Sequence, residues 1–367
     1  MEVGGRILRL RERLTGEAAA SVLISSATNI RYLTGFTGSN GLLLVTAESA
    51  TVLTDGRYTE QAPQQLEAAG VDAAVEIVTD LFGALEPLLG SAGALGFEAD
   101  SLSFADHQRL SDAVDVSLNP TTGLVAELRA VKDAGEIARI EAAADIADAA
   151  LSSTRALLGE RPTEERFGLE LDTAMRRLGA SERSFETIVA SGSNGALPHA
   201  RPSGRVIEPG DLVVLDFGAL VDGYHSDMTR TIMVGDPTAQ QAEMLELVRT
   251  AQAAGREAVG PGVEAKVIDK TCRSIIAEAG YGEAFMHGTG HGVGLDIHEF
   301  PAVSSRSDTM LQTGHVITVE PGVYLAGIGG VRVEDTVVVT NDGYRALTKS
   351  PKDPSLTMEH LHAKDEH

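Results

Sequence analysis

Two acidic residues lie in strand-like apolar segments, where carboxylates are unusual. Asp216 stands near the end of one apolar run, and the chain returns after a turn signal with Asp227. If the hairpin centres between Val221 and Asp222, the two carboxylates face each other across the ladder. Like charges in that position repel each other, and a shared cation removes the repulsion. The alternative is that Arg230 or a different register separates them.

A second pair of acidic residues has the same arrangement. Glu320 and Glu334 are equidistant from Gly327, in two segments joined by a glycine-rich turn. We therefore expect them to meet across a second hairpin. Arg332 shares a strand face with Glu334 because side chains alternate along a strand. An Arg–Glu ion pair at a sheet edge is the alternative to a metal site here.

Three histidines follow one another in or near a glycine-rich stretch. The stretch from His287 to Gly294 contains four glycines in eight residues. His287 and His291 are four residues apart, but the glycines argue against a helix and favour a strand or bulge. His298 lies just beyond. A single histidine is more often structural, whereas three so close together favour a site.

One imidazole and four carboxylates make an oxygen-rich ligand set. Such a set suits Mn²⁺, Co²⁺, Zn²⁺ or Fe²⁺ better than an ion that seeks thiolates. Five side chains exceed what one ion needs, and carboxylates can bridge. We therefore expect a hydrolase with two divalent ions about 3.5–4 Å apart that share a hydroxide. The predicted ligands are Asp216, Asp227, His291, Glu320 and Glu334.

The elements that must position these residues divide the chain of 367 residues into two domains. Residues 1–125 alternate short strands with helices and predict a small α/β domain. The Pro- and Gly-containing segment Asn119–Gly123 marks the boundary. An Ala-rich helix that starts at Asp133 opens the second domain, residues 126–357. Residues 358–367 are expected to form a disordered tail.

The second domain contains an internal repeat at an offset of 101 residues. Residues 155–179 then align with residues 256–280, and each stretch contains an amphipathic helix that closes on glycine. Glycine is a common C-terminal cap of helices. The shared pattern predicts a duplicated unit with pseudo-twofold symmetry.

Composition limits the partners and the location of the protein. The formal net charge of −23 disfavours nucleic acids and anionic membranes, because both are negatively charged. Cys272 is the only cysteine, so no internal disulfide is possible. The N-terminal segment is charged every few residues, and no apolar run approaches the roughly 18 residues of a membrane span. These features predict a cytoplasmic protein.

The order of the motifs resembles the pita-bread metallopeptidases, the family that includes methionine aminopeptidase, aminopeptidase P and prolidase. The matching motifs, which contain the five predicted ligands in the family's order, are LDFG, SDMTR, HGTGHGVGLDIHE, VEPGVY and RVEDT. Asn29–Gly41 and Ser184–Pro202 are similar too. The resemblance implies an α+β chain, in which a small α/β N-terminal domain precedes a pita-bread catalytic domain.

The N-terminal domain and the spacing from Glu320 to Glu334 resemble prolidase and aminopeptidase P more than methionine aminopeptidase. This branch implies hydrolysis of the Xaa-Pro bond by a metal-bridging hydroxide. The substrates would be Xaa-Pro dipeptides, which we slightly favour, or longer peptides with proline second. The resemblance also implies a homodimer, with Mn²⁺ as the first choice of metal.

The resemblance assigns a role to each ligand. Asp227 and Glu334 would bridge the two ions, Asp216 would complete one site, and His291 with Glu320 would complete the other.

Further roles carry over by position. Glu320 would also shuttle a proton to the leaving imino nitrogen. His298 would steady the tetrahedral intermediate, and His199 would contact the substrate near the scissile bond. The residues that resemble the pocket for the proline ring and its carboxylate are His287, Tyr324 and Arg332.

Two alternatives share the same fold. Some relatives are non-catalytic modules that bind peptides, and the creatinase type is a hydrolase without metal. Both replace metal ligands, whereas this sequence retains all five predicted ligands, and this disfavours both.

Overall fold

The computed structural model describes residues 2–14, 21–90 and 93–356. The tail predicted to be disordered, residues 358–367, lies outside these ranges. The described residues form two compact units, one up to Arg129 and one from Ala130 onward.

The first unit alternates helices and strands, as the sequence predicted. Its helices are α1 (Arg6–Leu14), α2 (Ala27–Thr34), α3 (Gln61–Ala68), α4 (Glu86–Leu89), α5 (Phe104–Ala113) and α6 (Leu124–Ala130). Its strands are β1 (Ser21–Ile24), β2 (Leu42–Val45), β3 (Ala50–Thr54), β4 (Ala74–Ile77), β5 (Ala94–Glu98) and β6 (Ser117–Thr121). The strands form one mixed sheet in the order β4-β3-β2-β1-β5-β6.

The first unit extends a few residues beyond the boundary that the sequence placed at residue 125. The segment Asn119–Gly123 begins within β6, the edge strand of the sheet. Pro120 pairs in register with Phe97 there, and an edge strand tolerates the missing N–H of proline. Helix α6 then packs on the same unit, where Arg129 donates to Asn29 Oδ1 at 2.8 Å. The proline and glycine therefore mark a sheet edge, and the compact unit ends at Arg129.

The second unit is built from four helices and a series of short strands within the described residues. The helices are α7 (Ala134–Thr154), α8 (Glu164–Arg177), α9 (Ala239–Glu257) and α10 (Ala265–Glu278). The strands before α9 are β7 (Glu182–Arg183), β8 (Ile188–Ser191), β9 (Leu212–Phe217), β10 (Ala219–Val221), β11 (Tyr224–His225) and β12 (Met228–Met233). The strands after α10 are β13 (Gly290–Gly292), β14 (Glu299–Val303), β15 (Val316–Val319), β16 (Gly322–Leu325), β17 (Gly329–Arg332), β18 (Asp335–Thr340) and β19 (Gly343–Ala346).

The internal repeat is visible in these elements. Helices α8 and α10 start and end at positions that differ by 101 residues. The antiparallel order β8-β9-β12 in the first half is matched by β13-β15-β18 in the second. Each half has its own apolar core, with Phe167 and Val213 in one and Ile268 and Ile317 in the other. The two halves therefore present two similar hairpins.

The first helix of the second unit has the start that the sequence indicates. The side chain of Asp133 accepts a hydrogen bond from the backbone of Glu136, and the Glu136 side chain accepts from the backbone of Asp133. This reciprocal cap satisfies two backbone donors at the start of α7. Among the described residues, no helix combines the length and the apolar character that crossing a bilayer requires.

A buried histidine at the start of β15 makes the stability of the protein depend on pH. His315 is 2% exposed. Burial and the nearby Lys132 charge lower its pKa from 6.5 to about 4. Between these two values the unfolded chain binds more protons than the folded one, so the free energy of unfolding falls as the pH drops through this range.

We expect His315→Leu to remove this part of the pH dependence. At pH 5 the free energy of unfolding of the variant should exceed that of the wild type by about 2 kcal/mol, with little advantage at pH 8. Denaturant unfolding at the two pH values measures the difference. Equal differences at both pH values would contradict the assignment.

Candidate active site

The first predicted carboxylate pair is close together, but its register differs from the prediction. Asp216 pairs with Thr229, and Asp227 lies two residues away from the opposite position. The hairpin turns at Asp222 and Gly223, whose φ values are +46° and +74°. Positive φ at both central residues matches the two-residue turn that suits tight hairpins. The predicted centre between Val221 and Asp222 is therefore wrong by one residue.

A shift of two residues keeps Asp227 on the strand face that carries Asp216, because side chains alternate. Carboxylate oxygens of Asp216, Asp227 and Glu334 all lie within 4.8 Å of one another. The two hairpins therefore bring these three acids together.

The second hairpin has the predicted register. Val319 pairs with Asp335 and Gly322 pairs with Arg332, so the positions of Glu320 and Glu334 are opposite each other between these pairs. The regular ladders stop on either side of them. Both acids thus stand at the point where one sheet ends and the next begins.

His291 lies in a bulge, as the glycines predicted. The register between β13 and β14 shifts between Gly290 and Gly292. A Cβ atom at Gly290 would lie 2.0 Å from Thr318 O, so only glycine permits this close approach. The His291 side chain then reaches the acids: its Nε2 lies 3.3 Å from Glu320 Oε1.

The His291 ring is oriented by its own backbone neighbourhood. Its Nδ1 lies 3.0 Å from Gly292 O, a contact that fixes the proton on Nδ1 and leaves Nε2 free to act as a ligand. Burial lowers the pKa of His291, but the Glu320 carboxylate outweighs burial, and the net pKa is raised.

Burial and mutual repulsion change the pKa values of the acids. Burial and the charges of Glu334, Asp216 and Glu320 raise the pKa of Asp227 well above its ordinary value. Burial also raises the pKa of Asp216 and of Glu334. Burial opposes the charge of Glu320 too, but the hydrogen bond with His291 prevails and lowers its pKa to about 2. Four ionised carboxylates therefore need additional positive charge to share this space.

The acids line a cavity of about 840 Å³. Nine of the ten residues singled out in the sequence line it, namely His199, Asp216, Asp227, His287, His291, His298, Glu320, Arg332 and Glu334. The tenth, Tyr324, connects two of them, since its hydroxyl lies 2.9 Å from His287 Nε2 and 2.8 Å from Arg332 Nη1.

Comparisons with known proteins agree with this site. Residues 138–341 match the model of Metallopeptidase family M24, and residues 6–131 match the Creatinase/Prolidase N-terminal domain. The chain belongs to metallopeptidase family M24. It is 37% identical over 353 residues to the Xaa-Pro dipeptidase of Pyrococcus horikoshii, which covers 95% of this chain and 98% of the relative.

Solved structures of M24 proteins have the same two-domain fold. The Xaa-Pro dipeptidase from Bacillus anthracis matches with a TM-score of 0.91 and 41% identity, over 95% of this chain and 98% of that one. The X-Pro aminopeptidase from Thermotoga maritima matches with a TM-score of 0.85 and 36% identity, over 94% of this chain and 98% of that one. The expected pita-bread catalytic domain is thereby confirmed.

The acids of this M24 chain fit the metal ions that a metallopeptidase requires. Asp216 Oδ1 and Glu334 Oε1 are buried and have no hydrogen-bond partner among the described residues. The other oxygen of Glu334 accepts from Thr229 Oγ1 at 2.7 Å, and that of Asp216 accepts from Arg332 at 2.5 Å. A buried oxygen without a partner is destabilising, and a divalent cation would satisfy both.

Arg332 is engaged with the protein. It donates to Thr229 Oγ1 at 3.0 Å, to the Tyr324 hydroxyl at 2.8 Å and to Asp216 Oδ2 at 2.5 Å. It also donates to Pro198 O at 3.3 Å, and its Nε lies 3.9 Å from Glu320 Oε2. Arg332 is 3% exposed, and its guanidinium orients Asp216. Because Arg332 also lines the cavity, its contact with a substrate carboxylate stays a prediction.

Sequence reasoning missed the threonines that hold the acids in place. Thr229 donates to Glu334 and lies directly opposite Asp216. Thr318 donates to Glu320 Oε1 at 3.2 Å and accepts from the His291 backbone at 3.0 Å. Each threonine is two residues from a predicted ligand. Because side chains alternate along a strand, this spacing places it on the face of that ligand, and this could have identified both threonines from the sequence.

We expect Asp227→Asn to stabilise the metal-free protein and to abolish the stabilisation that metal gives the wild type. The pKa of Asp227 in the folded protein is raised, whereas in the unfolded chain it is about 3.9. The free energy of unfolding of the metal-free wild type therefore falls as the pH rises above about 3.9. At pH 8 the Tm of the uncharged variant should be higher than that of the wild type, by about 2–4 °C for each kcal/mol of added unfolding free energy. Thermal unfolding with EDTA and with MnCl₂ measures both effects.

Asp222→Asn is the matched control, because it makes the same change at the exposed turn of the same hairpin. Asparagine tolerates positive φ, so this variant should behave like the wild type in both buffers. An Asp227→Asn variant that is destabilised in EDTA would show that repulsion among the acids is not the dominant force.

Proposed function

We propose that this protein hydrolyses the peptide bond between a residue and a following proline. The observation that carries the proposal is the meeting of three carboxylates in a cavity that four histidines also line. Two of the carboxylates have a buried oxygen without a hydrogen-bond partner among the described residues. Relatives named Xaa-Pro dipeptidase and X-Pro aminopeptidase over nearly the whole chain support the choice of bond.

The metal centre we propose contains two divalent ions. Mn²⁺ is our first choice, with Co²⁺, Zn²⁺ or Fe²⁺ as alternatives, because the donors are oxygen-rich and include one imidazole. When bound, such ions supply Lewis acidity and make water acidic near neutral pH. The residues that would hold them are Asp216, Asp227, His291, Glu320 and Glu334.

Glu320 is suited to move the proton that the reaction requires. It remains ionised because the contact with His291 lowers its pKa to about 2, although burial opposes this. Thr318 holds one of its oxygens at 3.2 Å. The imino nitrogen of proline must gain a proton to leave, and a positioned carboxylate that accepts a proton can return it there.

His298 and His199 are suited to contact the reacting carbonyl group. The His298 ring lies 4.3 Å from the His291 ring, centroid to centroid. Burial, and then the His291 charge, lower the pKa of His298. A neutral imidazole at neutral pH can donate a hydrogen bond to an oxygen that becomes negatively charged. His199 lines the same cavity and could contact the substrate beside it.

The polar side of the proline pocket would be the chain of His287, Tyr324 and Arg332. Burial lowers the pKa of His287, so it offers a neutral ring to an apolar pyrrolidine. The cavity of about 840 Å³ has the volume of typical small-ligand pockets. Dipeptides remain our first choice, and longer peptides are part of the test.

The proposed function is tested with protein stripped of metal and reloaded with each ion in turn. We expect cleavage of Ala-Pro, measured as released alanine, with Mn²⁺ and not with EDTA. Ala-Pro-Ala measures activity on longer peptides, and Ala-Ala is the control for the proline requirement. Cleavage of Ala-Ala at the rate of Ala-Pro would contradict the proline assignment, and metal-independent cleavage would contradict the metal centre.

We expect His298→Ala to lower kcat about 100-fold, within the range for a lost donor to a developing oxyanion. Metal affinity measured by calorimetry should change little, since His298 is not among the proposed ligands. His315→Leu, a buried histidine that does not line the cavity, is the matched control and should keep its activity at pH 8. A normal kcat in His298→Ala would remove this residue from the mechanism.

We also propose a cytoplasmic homodimer, as the resemblance implies. Analytical ultracentrifugation measures the assembly state directly. A single species at 38.5 kDa, the mass of one chain, would contradict the dimer.

A further inference from the structure

A buried carboxylate outside the proposed metal centre holds the segment that carries His199. Residues 192–202, here called the His199 loop, follow β8, and their second half lines the cavity. Glu164 is the first residue of α8 and has no exposed surface. Its side chain accepts hydrogen bonds from the two residues that flank the loop, Ser191 and Ser203.

One oxygen of Glu164 serves each end. Oε1 accepts from Ser191 N and Ser191 Oγ, both at 2.7 Å. Oε2 accepts from Ser203 N at 3.1 Å and from Ser203 Oγ at 2.6 Å. Asn194 Nδ2, within the loop, lies 3.1 Å and 3.0 Å from the two oxygens. A single side chain therefore closes the loop at its base.

A second acid has the corresponding task on α10, the helix related to α8 by the internal repeat. Asp269 is fully buried and accepts from Thr289 N at 3.2 Å and Thr289 Oγ1 at 3.0 Å. It also forms two hydrogen bonds with Arg273, to Nε at 3.0 Å and Nη2 at 2.9 Å. Arg273 in turn donates to Phe285 O and to His287 O, at 2.9 Å and 2.7 Å.

We propose that Glu164 and the Asp269–Arg273 pair are positioning residues, each responsible for one histidine segment of the active site. Glu164 positions His199, whereas the pair positions His287 and, through Thr289, the neighbouring ligand His291. The roles of the histidines rest on the proposed function. The geometry of Glu164 and of the Asp269–Arg273 pair, here called the two supports, does not depend on the proposed function.

The two supports act on separate segments. The Glu164 side chain bonds to residues of the first half, and the Asp269 side chain bonds to Arg273 and Thr289 of the second half. The two helices belong to different apolar cores. Loss of one support should therefore loosen one segment and leave the other in place.

A change of one atom suffices to test this. A carboxylate only accepts hydrogen bonds, whereas an amide places two N–H donors on one side. In Glu164→Gln the amide nitrogen must face the backbone N–H of either Ser191 or Ser203, in whichever orientation the side chain adopts. Backbone N–H groups cannot reverse their role, so one end of the loop loses its partner.

The structural test is hydrogen exchange followed by mass spectrometry on the full-length protein. In Glu164→Gln we expect exchange to rise at least about tenfold in residues 192–202 and to stay unchanged in residues 285–291. Asp269→Asn should give the reverse pattern and is the matched control. Faster exchange in both segments for either variant would overturn the proposal. If Glu164→Gln does not fold, Ser203→Ala removes one contact of the same carboxylate and makes the same test.

Metal affinity separates the two supports. By calorimetry with MnCl₂, Asp269→Asn should bind metal about 10-fold more weakly, because its segment leads into His291. Glu164→Gln should bind as the wild type does. Equal affinities in the two variants would overturn the assignment of Asp269.

Kinetics then connect Glu164 to His199. With Ala-Pro, Glu164→Gln should raise KM more than it lowers kcat, and it should have no further effect on kcat/KM in a His199→Ala background. Additive losses would overturn the link between the two residues. If the wild type cleaves no Xaa-Pro peptide, the proposed function fails, while the exchange experiment still decides on the two supports.

Discussion

Mutual repulsion among buried carboxylates is the constraint on which the second unit depends. Asp216, Asp227, Glu320 and Glu334 meet in one cavity, and burial alone disfavours their charged forms. A protein that only needed stability would replace such a group with apolar residues of similar size. The presence of the acids, with two oxygens unpartnered among the described residues, is explained by a ligand with concentrated positive charge.

The surrounding residues hold this unfavourable group and neutralise its charge only in part, through the ion pair of Arg332 with Asp216. Behind Glu334, the next residue, Asp335, is fully buried and forms ion pairs with Arg230 at 3.0 Å, Arg256 at 3.1 Å and Lys352 at 2.7 Å. Three cations on one carboxylate leave an excess of positive charge beneath β18. That charge lies on the side of the strand away from the cavity, because neighbouring side chains alternate. It therefore fixes the strand while the cavity side of the site stays accessible to metal.

The sequence was sufficient for the parts of the site that follow strand periodicity. The register of Glu320 and Glu334 and the bulge at His291 could be predicted from glycines and alternation. The prediction placed the centre of the first hairpin one residue too early. Asp222 and Gly223 occupy the two central positions of the turn, and an Asp-Gly pair is a known signal for a two-residue turn that the prediction did not use. Supports such as Glu164 depend on contacts between helix and loop, and spacing in one sequence does not show them.

The internal repeat explains why neither hairpin is a site by itself. Each hairpin contributes one pair of acids, and Asp216 and Asp227 come within 4.8 Å of Glu334 only when the two halves pack together. In an unfolded chain the pairs are about 100 residues apart, and no compact ligand set exists. A metal that binds only the assembled site stabilises the folded state in proportion to the logarithm of its concentration. The repulsion that weakens the metal-free fold and the affinity that completes the active site therefore have one origin.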